Sequence, residues 1–395
     1  MSPLLYSRLS ALMLFQYLIP GAYLVTLGTY LLTTLNFTGS QVGLVFSTFA
    51  VGAVVSPLIS GVVADRYMNL EKLLAFCYIA GGAMLWWCTA IHEFAPFFAV
   101  LLGFEIVMAP TFGLSSSLVF HHTRNAQKDF PRIRVWGTIG WIIAGILVGV
   151  LGIESTVWPL RIAGTASILT GLYSLTLPAT PPPGRTREFT WRTALGLDAL
   201  QMLRQREIAI VVGALLLLTL PTAFYHSFTN PFLNELGMEH AAGKMTIGQM
   251  TEIVIMLLLP WLLQRFRIRY IILAGILIWA IRYGLFAFGA MEHLFWMLYI
   301  GIALHGAAYA FTALSAQIYI DRHAPPELRS SAQGLITIIT MGAGRFVGTI
   351  LAGSIVHFYT LPLSLHNWPM IWLWPALIAL IVAAGYLYAI SSRRL

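Results

Sequence analysis

The sequence predicts an all-α polytopic membrane protein with twelve transmembrane helices, and three observations predict it. Its 395 residues are 58% hydrophobic and only 10% charged, with a mean hydropathy of +0.79, a balance too apolar for a soluble domain of this size. Apolar stretches follow one another along the chain, each near the roughly 20 residues that cross a hydrocarbon core about 30 Å thick. The alternating pattern of membrane strands is absent, which argues against a β-barrel.

Taken in order, the first span is placed at 9–34. Arg8 precedes it, but the apolar run outlasts the roughly 7–15 residues of a signal h-region, so it reads as a transmembrane helix and not as a cleaved leader. Gln16, Tyr23, Thr26 and Tyr30 are its polar side chains. Spans two and three are placed at 41–64 and 70–91. The third carries the only two cysteines, Cys77 and Cys88, which read as small buried residues with no disulfide and no metal site. Spans four to six are placed at 95–120, 134–153 and 157–177.

The longest break follows, with Pro181, Pro182, Pro183 and Gly184 leading into Arg185, Arg187, Glu188 and Arg192. This composition predicts a cytoplasmic linker over 178–205, with a short surface helix near 194–203, between two six-helix bundles at 1–177 and 206–395. The second bundle holds spans at 206–229, 245–264, 269–288, 293–318, 328–356 and 369–391.

The basic residues orient these spans, because Lys and Arg in short connections stay on the cytoplasmic side. With both termini inside, only Arg161 and Lys244 of the 23 Lys and Arg fall in connections on the opposite side. Arg134, Arg282 and Arg345 lie within spans or at their edges. The net charge of +8 is therefore a topology signal, and nucleic-acid binding is excluded.

The two halves echo each other. Span two runs into Gly61, Asp65 and Arg66, and span eight runs into Gln264, Arg265, Arg267 and Arg269. A basic connection after the second helix of each half fits parallel six-helix repeats around a central cavity, the plan of the major facilitator fold. The pattern of Gly61, Asp65 and Arg66 resembles that superfamily's loop motif, although the stretch from Tyr67 to Lys72 lacks its later glycine and basic pair.

Ionisable groups inside spans are costly and mark cavities or partnered sites. Here they are Glu105, Arg134, Glu252, Arg282, His305 and Arg345. Arg134, Thr138 and Trp141 recur at i, i+4 and i+7, so a cation, a hydroxyl and an indole share one helix face. Gln249 and Glu252 are at i and i+3, and His305 and Tyr309 at i and i+4, while span seven supplies Tyr225, His226 and Asn230. Arg282 and Arg345 read as structural ion-pair partners. Amides, hydroxyls and aromatic plates suit a nucleoside, which joins a hydroxyl-rich ribose to a flat base. A hexose would want similar groups, so this chemistry leaves the cargo open.

The segment from Asp129 through Pro131, Arg134, Gly137, Thr138 and Gly140 to Trp141 resembles a signature of the bacterial nucleoside:proton symporter family of the major facilitator superfamily. The similarity extends to Leu195–Leu200, Gly248–Glu252, Ile281–Gly289 and Ser331–Gly334, blocks that reach both halves. The resemblance implies that Arg134, Thr138 and Trp141 bind ligand, that Gln249 binds ligand beside a proton-linked Glu252, and that Tyr309 is the aromatic of span ten, with His305 one turn earlier. Two positions depart from the best-known members: Ala310 stands where they have an aspartate, and Ala223 and His226 replace their polar pair on span seven. The surroundings of Tyr225, His226 and His305 look closer to a less characterised branch.

The expected function is secondary active import of nucleosides across the bacterial inner membrane, by alternating access and coupled to protons. The expected partners are the nucleoside, protons and the lipid bilayer, with the monomer as working unit and no cofactor. The substrate set is Arg134, Thr138, Trp141, Tyr225, His226, Gln249, Glu252, His305 and Tyr309. Glu252 is the expected proton carrier, while Glu105 either shares that role or neutralises Arg134. The alternative is a facilitator or symporter of another small hydroxylated solute, such as a sugar or purine analogue. A membrane enzyme is disfavoured, since no Gly-x-Ser-x-Gly or His-Glu-x-x-His motif occurs. Short connections likewise argue against a receptor.

Overall fold

The computed structural model describes residues 2–59, 63–64, 67–123, 126–182, 197–325 and 328–392. Gly61, Asp65 and Arg66 of the loop motif lie outside the described residues, as do Pro183, Gly184, Arg185, Arg187, Glu188, Arg192 and Leu195 of the linker.

Helices occupy every predicted span. They are α1 (Pro3–Thr34), α2 (Gly39–Ile59), α3 (Leu70–Cys88), α4 (Phe94–His122), α5 (Ala126–Val150), α6 (Trp158–Ser174) and α7 (Arg206–Glu235). After α7 come α8 (Ala241–Arg265), α9 (Ile268–Met291), α10 (Phe295–His323), α11 (Arg329–Thr337, Ile338–Gly344 and Arg345–Phe358) and α12 (Trp368–Ser391). Among the described residues, nine of these are long and apolar enough to cross a bilayer by themselves. The other three, α2, α3 and α6, are shorter or more polar within the described residues. A 3₁₀ helix, Leu197–Arg204, stands where a linker helix is predicted.

Several spans differ in extent from the sequence expectation, α5 and α7 among them. Helix α5 begins at Ala126, two turns before the predicted start at 134, because polar Gln127, Lys128 and Asp129 continue the helix beyond the apolar stretch, with Asp129 favoured near the positive helix end. Helix α7 runs on to Glu235, through Pro231, a residue that membrane helices tolerate when neighbours satisfy the freed carbonyl.

Wide π-turns occur within the described helices at Tyr30–Thr34 in α1, Ala310–Leu314 in α10 and Ile338–Gly344 in α11. Such turns are uncommon and recur at functional sites. The second directly follows Tyr309, and the third directly precedes Arg345.

The chain forms two compact units. The first comprises Met1–Phe37, Thr48–Ala194 and Glu239–Gly243. Within it α1 packs on α5 and α6, and α3 packs on α6. Small residues set these distances, as expected where lipid removes any hydrophobic drive between helices. A side chain at Gly140 would place its Cβ 2.1 Å from the Leu14 carbonyl oxygen, and one at Gly82 would meet the Gly164 oxygen at 2.7 Å.

The second unit comprises Thr38–Ser47, Leu195–Met238 and Lys244–Leu395. Here α9 packs on α12, and α7 on α11 and α12. Its interior is aromatic: Trp372 stacks on Tyr283 with centroids 5.7 Å apart and planes 10° from parallel, and Phe232 and Phe286 close on Trp372 at 5.2 and 5.0 Å. This packing holds α7, α9 and α12 rigidly behind the polar cluster described below.

Candidate functional site

Each unit gathers polar side chains on its own helices. In the first, α5 turns Ile133, Gly137, Gly140, Ala144 and Val148 into the protein, the spacing of one helix face. Arg134, Thr138 and Trp141 flank that face and are half-buried. The Arg134 guanidinium lies over the Tyr17 ring of α1, 3.9 Å from its centroid. Gly137 makes room for this stack, since a Cβ there would fall 2.6 Å from the Tyr17 ring and 2.8 Å from an Arg134 nitrogen. A cation held on an aromatic face within a dry region keeps its in-plane N–H groups for other acceptors.

Beside it, the buried Gln16 carbonyl oxygen accepts from the Ser115 hydroxyl at 2.5 Å, and its Nε2 has no hydrogen-bond partner. The Glu105 carboxylate is buried and accepts from the Tyr23 hydroxyl at 2.9 Å. This tyrosine is a partner that the sequence did not assign to Glu105.

In the second unit, the organising residue is Arg282, which is fully buried on α9. Its guanidinium carbon lies 4.0 Å from the Tyr225 centroid and 4.8 Å from that of Trp279. Its Nε donates to the Gly301 carbonyl at 3.0 Å, and its Nη1 meets the His305 Nδ1 at 3.1 Å. The remaining Nη2 is buried without a hydrogen-bond partner. Among the described residues, the contacts given for Arg282 are aromatic faces, a backbone carbonyl and an imidazole, where the sequence expected an ion pair.

Around this cation the predicted residues converge. The Tyr225 and His305 rings stack at 4.8 Å, tilted by 23°, and Tyr309 continues the series 6.4 Å beyond His305. His226 stands edge-on to both Tyr225 and His305, at 5.4 and 6.4 Å, and is exposed. Helix α8 brings Gln249 and Glu252, both half-buried, to the same region. The contact is close: a Cβ at Gly306 would lie 2.2 Å from the Glu252 backbone nitrogen, and one at Gly248 would meet the His305 Cβ at 3.0 Å. The Thr251 hydroxyl seals the seam by donating to the Ala303 carbonyl at 2.7 Å. Ala310 and Ala223 are buried, so neither position offers a polar group.

All nine residues of the predicted substrate set are thus assembled within one unit or the other. Tyr225, His226, His305, Tyr309, Gln249 and Glu252 share one region with Arg282, and Arg134 shares its face with Thr138 and Trp141. Tyr17 and Trp279 were missed. A Trp at i−3 and a Tyr at i+1 of a membrane arginine, as in Trp279 and Tyr283 around Arg282, was the available signal for the second. Chemically, these groups supply guanidinium, imidazole, amide and hydroxyl donors, flat rings for stacking, and carboxyls that can exchange a proton.

A family model described as nucleoside H+ symporter matches residues 4–393. The chain is 36% identical over 395 residues to the putative nucleoside transporter YegT of Escherichia coli (strain K12), covering 96% of this chain and 92% of that protein. It is 32% identical over 396 residues to the xanthosine permease of the same organism, covering 96% and 94%. A crystal structure of a mutant of the nucleoside transporter NupG superimposes with a TM-score of 0.92 at 30% identity, over 98% of this chain and 99% of that one.

Proposed function

We infer the function from one premise: the chain belongs to the nucleoside H+ symporter family. It is a multi-pass membrane transporter of the major facilitator fold, and it imports nucleosides together with protons. The finer reading concerns which residues do this. Arg134, Thr138 and Trp141 bind the nucleoside from the first unit, where the guanidinium and hydroxyl donate to oxygen atoms and the indole stacks on the base. From the second unit, Gln249, His305 and His226 supply hydrogen bonds, and Tyr225 and Tyr309 supply ring faces. Glu252 carries the proton. The observation that supports this most is the convergence of Gln249 and Glu252 on the His305 ring stack, through the seam at Gly306.

Because Ala310 holds no carboxyl, the proton must use Glu252, Glu105 or both. Glu105, hydrogen-bonded by Tyr23, serves as the secondary acid. The working unit is the monomer in the inner membrane, with both termini cytoplasmic and the bundles divided at the 178–205 linker. Xanthosine, the named cargo of one relative, joins uridine as a candidate substrate.

Uptake of radiolabelled uridine and xanthosine into vesicles with an imposed pH gradient tests this reading. Glu252→Gln is expected to abolish the pH-driven part of uptake while leaving binding measurable. Full gradient-driven uptake by that variant would remove Glu252 from the coupling role. Competition by ribose, hexoses and free bases separates a nucleoside carrier from one for sugars or bases.

A further inference from the structure

A cavity of about 240 Å³ opens in the second unit at the ends of α7, α9, α10 and α12. It uses none of the residues assigned above to nucleoside or proton. Arg206, Arg267, Arg269 and His323 line it, against one carboxylate, Glu207. The rest of its wall is largely apolar, with Ile210, Val211, Ile268 and Ile390.

Two of its polar groups lack partners. The Tyr386 side chain is only 3% exposed and its hydroxyl has no hydrogen bond, and the Arg269 Nε is buried and likewise unbonded. A buried polar atom left unpaired is costly, so these two donors are provided for something that binds. Glu207, by contrast, already accepts from the Tyr319 hydroxyl at 3.2 Å.

We propose that this cavity binds the phosphate group of an anionic phospholipid. Three guanidinium groups against one carboxylate select an anion, and Arg forks match phosphate oxygens in a bidentate way. The unpaired tyrosine hydroxyl completes the oxygen-binding set. The size excludes a larger guest, because pockets that enclose a whole small-molecule ligand measure about 300–1,000 Å³. The isoleucine-rich wall suits the glycerol and first acyl carbons of a lipid, whereas free phosphate would gain nothing from it. The placement between helix ends and beside the basic connection of Arg265, Arg267 and Arg269 agrees, since basic pockets between helices on the cytoplasmic side receive anionic headgroups.

Native mass spectrometry and thermal unfolding of the purified full chain, delipidated and then supplied with phosphatidylglycerol or phosphatidylcholine, test the proposal. Phosphatidylglycerol is expected to remain bound and to raise the unfolding midpoint, and phosphatidylcholine to do neither. Arg269→Gln and Arg267→Gln should each weaken retention about fivefold. Tyr386→Phe, which removes one oxygen and leaves the packing intact, should weaken it measurably without lowering the lipid-free midpoint. Equal retention of the two lipids overturns the proposal, as does retention unchanged in all three variants. A parallel arm with inorganic phosphate distinguishes the sources: stabilisation equal to that by the lipid, and lost in the same variants, would overturn the lipid assignment in favour of a soluble phosphate.

Discussion

The bond between Arg282 and His305 fixes a proton. A guanidinium has only donors and does not release a proton in proteins, so the His305 Nδ1 that faces Arg282 at 3.1 Å must present its lone pair. The neutral imidazole therefore carries its hydrogen on Nε2, where it serves as a fixed donor. In the reading proposed above, this assigns His305 to ligand binding and leaves proton transfer to Glu252. His305→Gln, which keeps an N–H donor, is expected to retain more uridine uptake than His305→Leu, as initial rates would show. Arg282→Lys should raise KM about tenfold or more, because the single ammonium of lysine lacks the planar fork whose Nε and Nη1 reach Gly301 and His305 separately, and hydrogen bonds to charged groups contribute roughly 1.5–3 kcal/mol each. Little of this arrangement was legible in the sequence. An arginine in an apolar stretch suggests a carboxylate partner, but the groups that hold Arg282 come from α7, α9 and α10, and only the folded chain brings them together. Arg134, Thr138 and Trp141 were legible because one helix suffices to align them.

At the scale of the elements, backbone proximity controls both units. Gly140→Ala would push α5 off the Leu14 carbonyl, and overpacking of this kind costs about 1–3 kcal/mol. The unfolding midpoint of the detergent-solubilised protein should fall. Gly213→Ala and Gly284→Ala are the controls: no atom lies within 4 Å of a Cβ at either position, so replacing a helix glycine there should leave stability equal or higher. A fall at all three positions would mean that helix contacts are not what Gly140 serves. The helices themselves were readable from apolar length, while the π-turns were not, since a wide turn has no compositional signature. Charge and polarity did mislead at one boundary, because the polar lead-in of α5 is helical although it is not apolar.

For the whole molecule, the distribution of Lys and Arg makes a prediction that the helices alone do not. A cysteine at Gln201 should resist a membrane-impermeant thiol reagent in intact cells, and one at Glu239 should be labelled. Both positions are exposed in the structure. The native Cys77 and Cys88 are buried, so the background is low. Labelling of Gln201→Cys but not Glu239→Cys would invert the topology. The family blocks that reach both halves were legible at this scale, whereas the cavity around Arg269 was not. Its arginines read as a topology signal, and nothing in their spacing announces that Tyr386, more than a hundred residues later in the chain, faces them with an unspent hydroxyl.

The notch at Gly306 has a mechanical meaning. With a bare Cα against the backbone of Glu252 and Thr251 tied to the carbonyl of Ala303, α8 and α10 have no clearance to slide past one another here. The acid and the ring stack are therefore held together, like a pawl fixed to its lever. On the role proposed for Glu252, a change in its charge would reach His305 and Tyr309 through this contact, and a bulkier residue at 306 would force α8 and α10 apart.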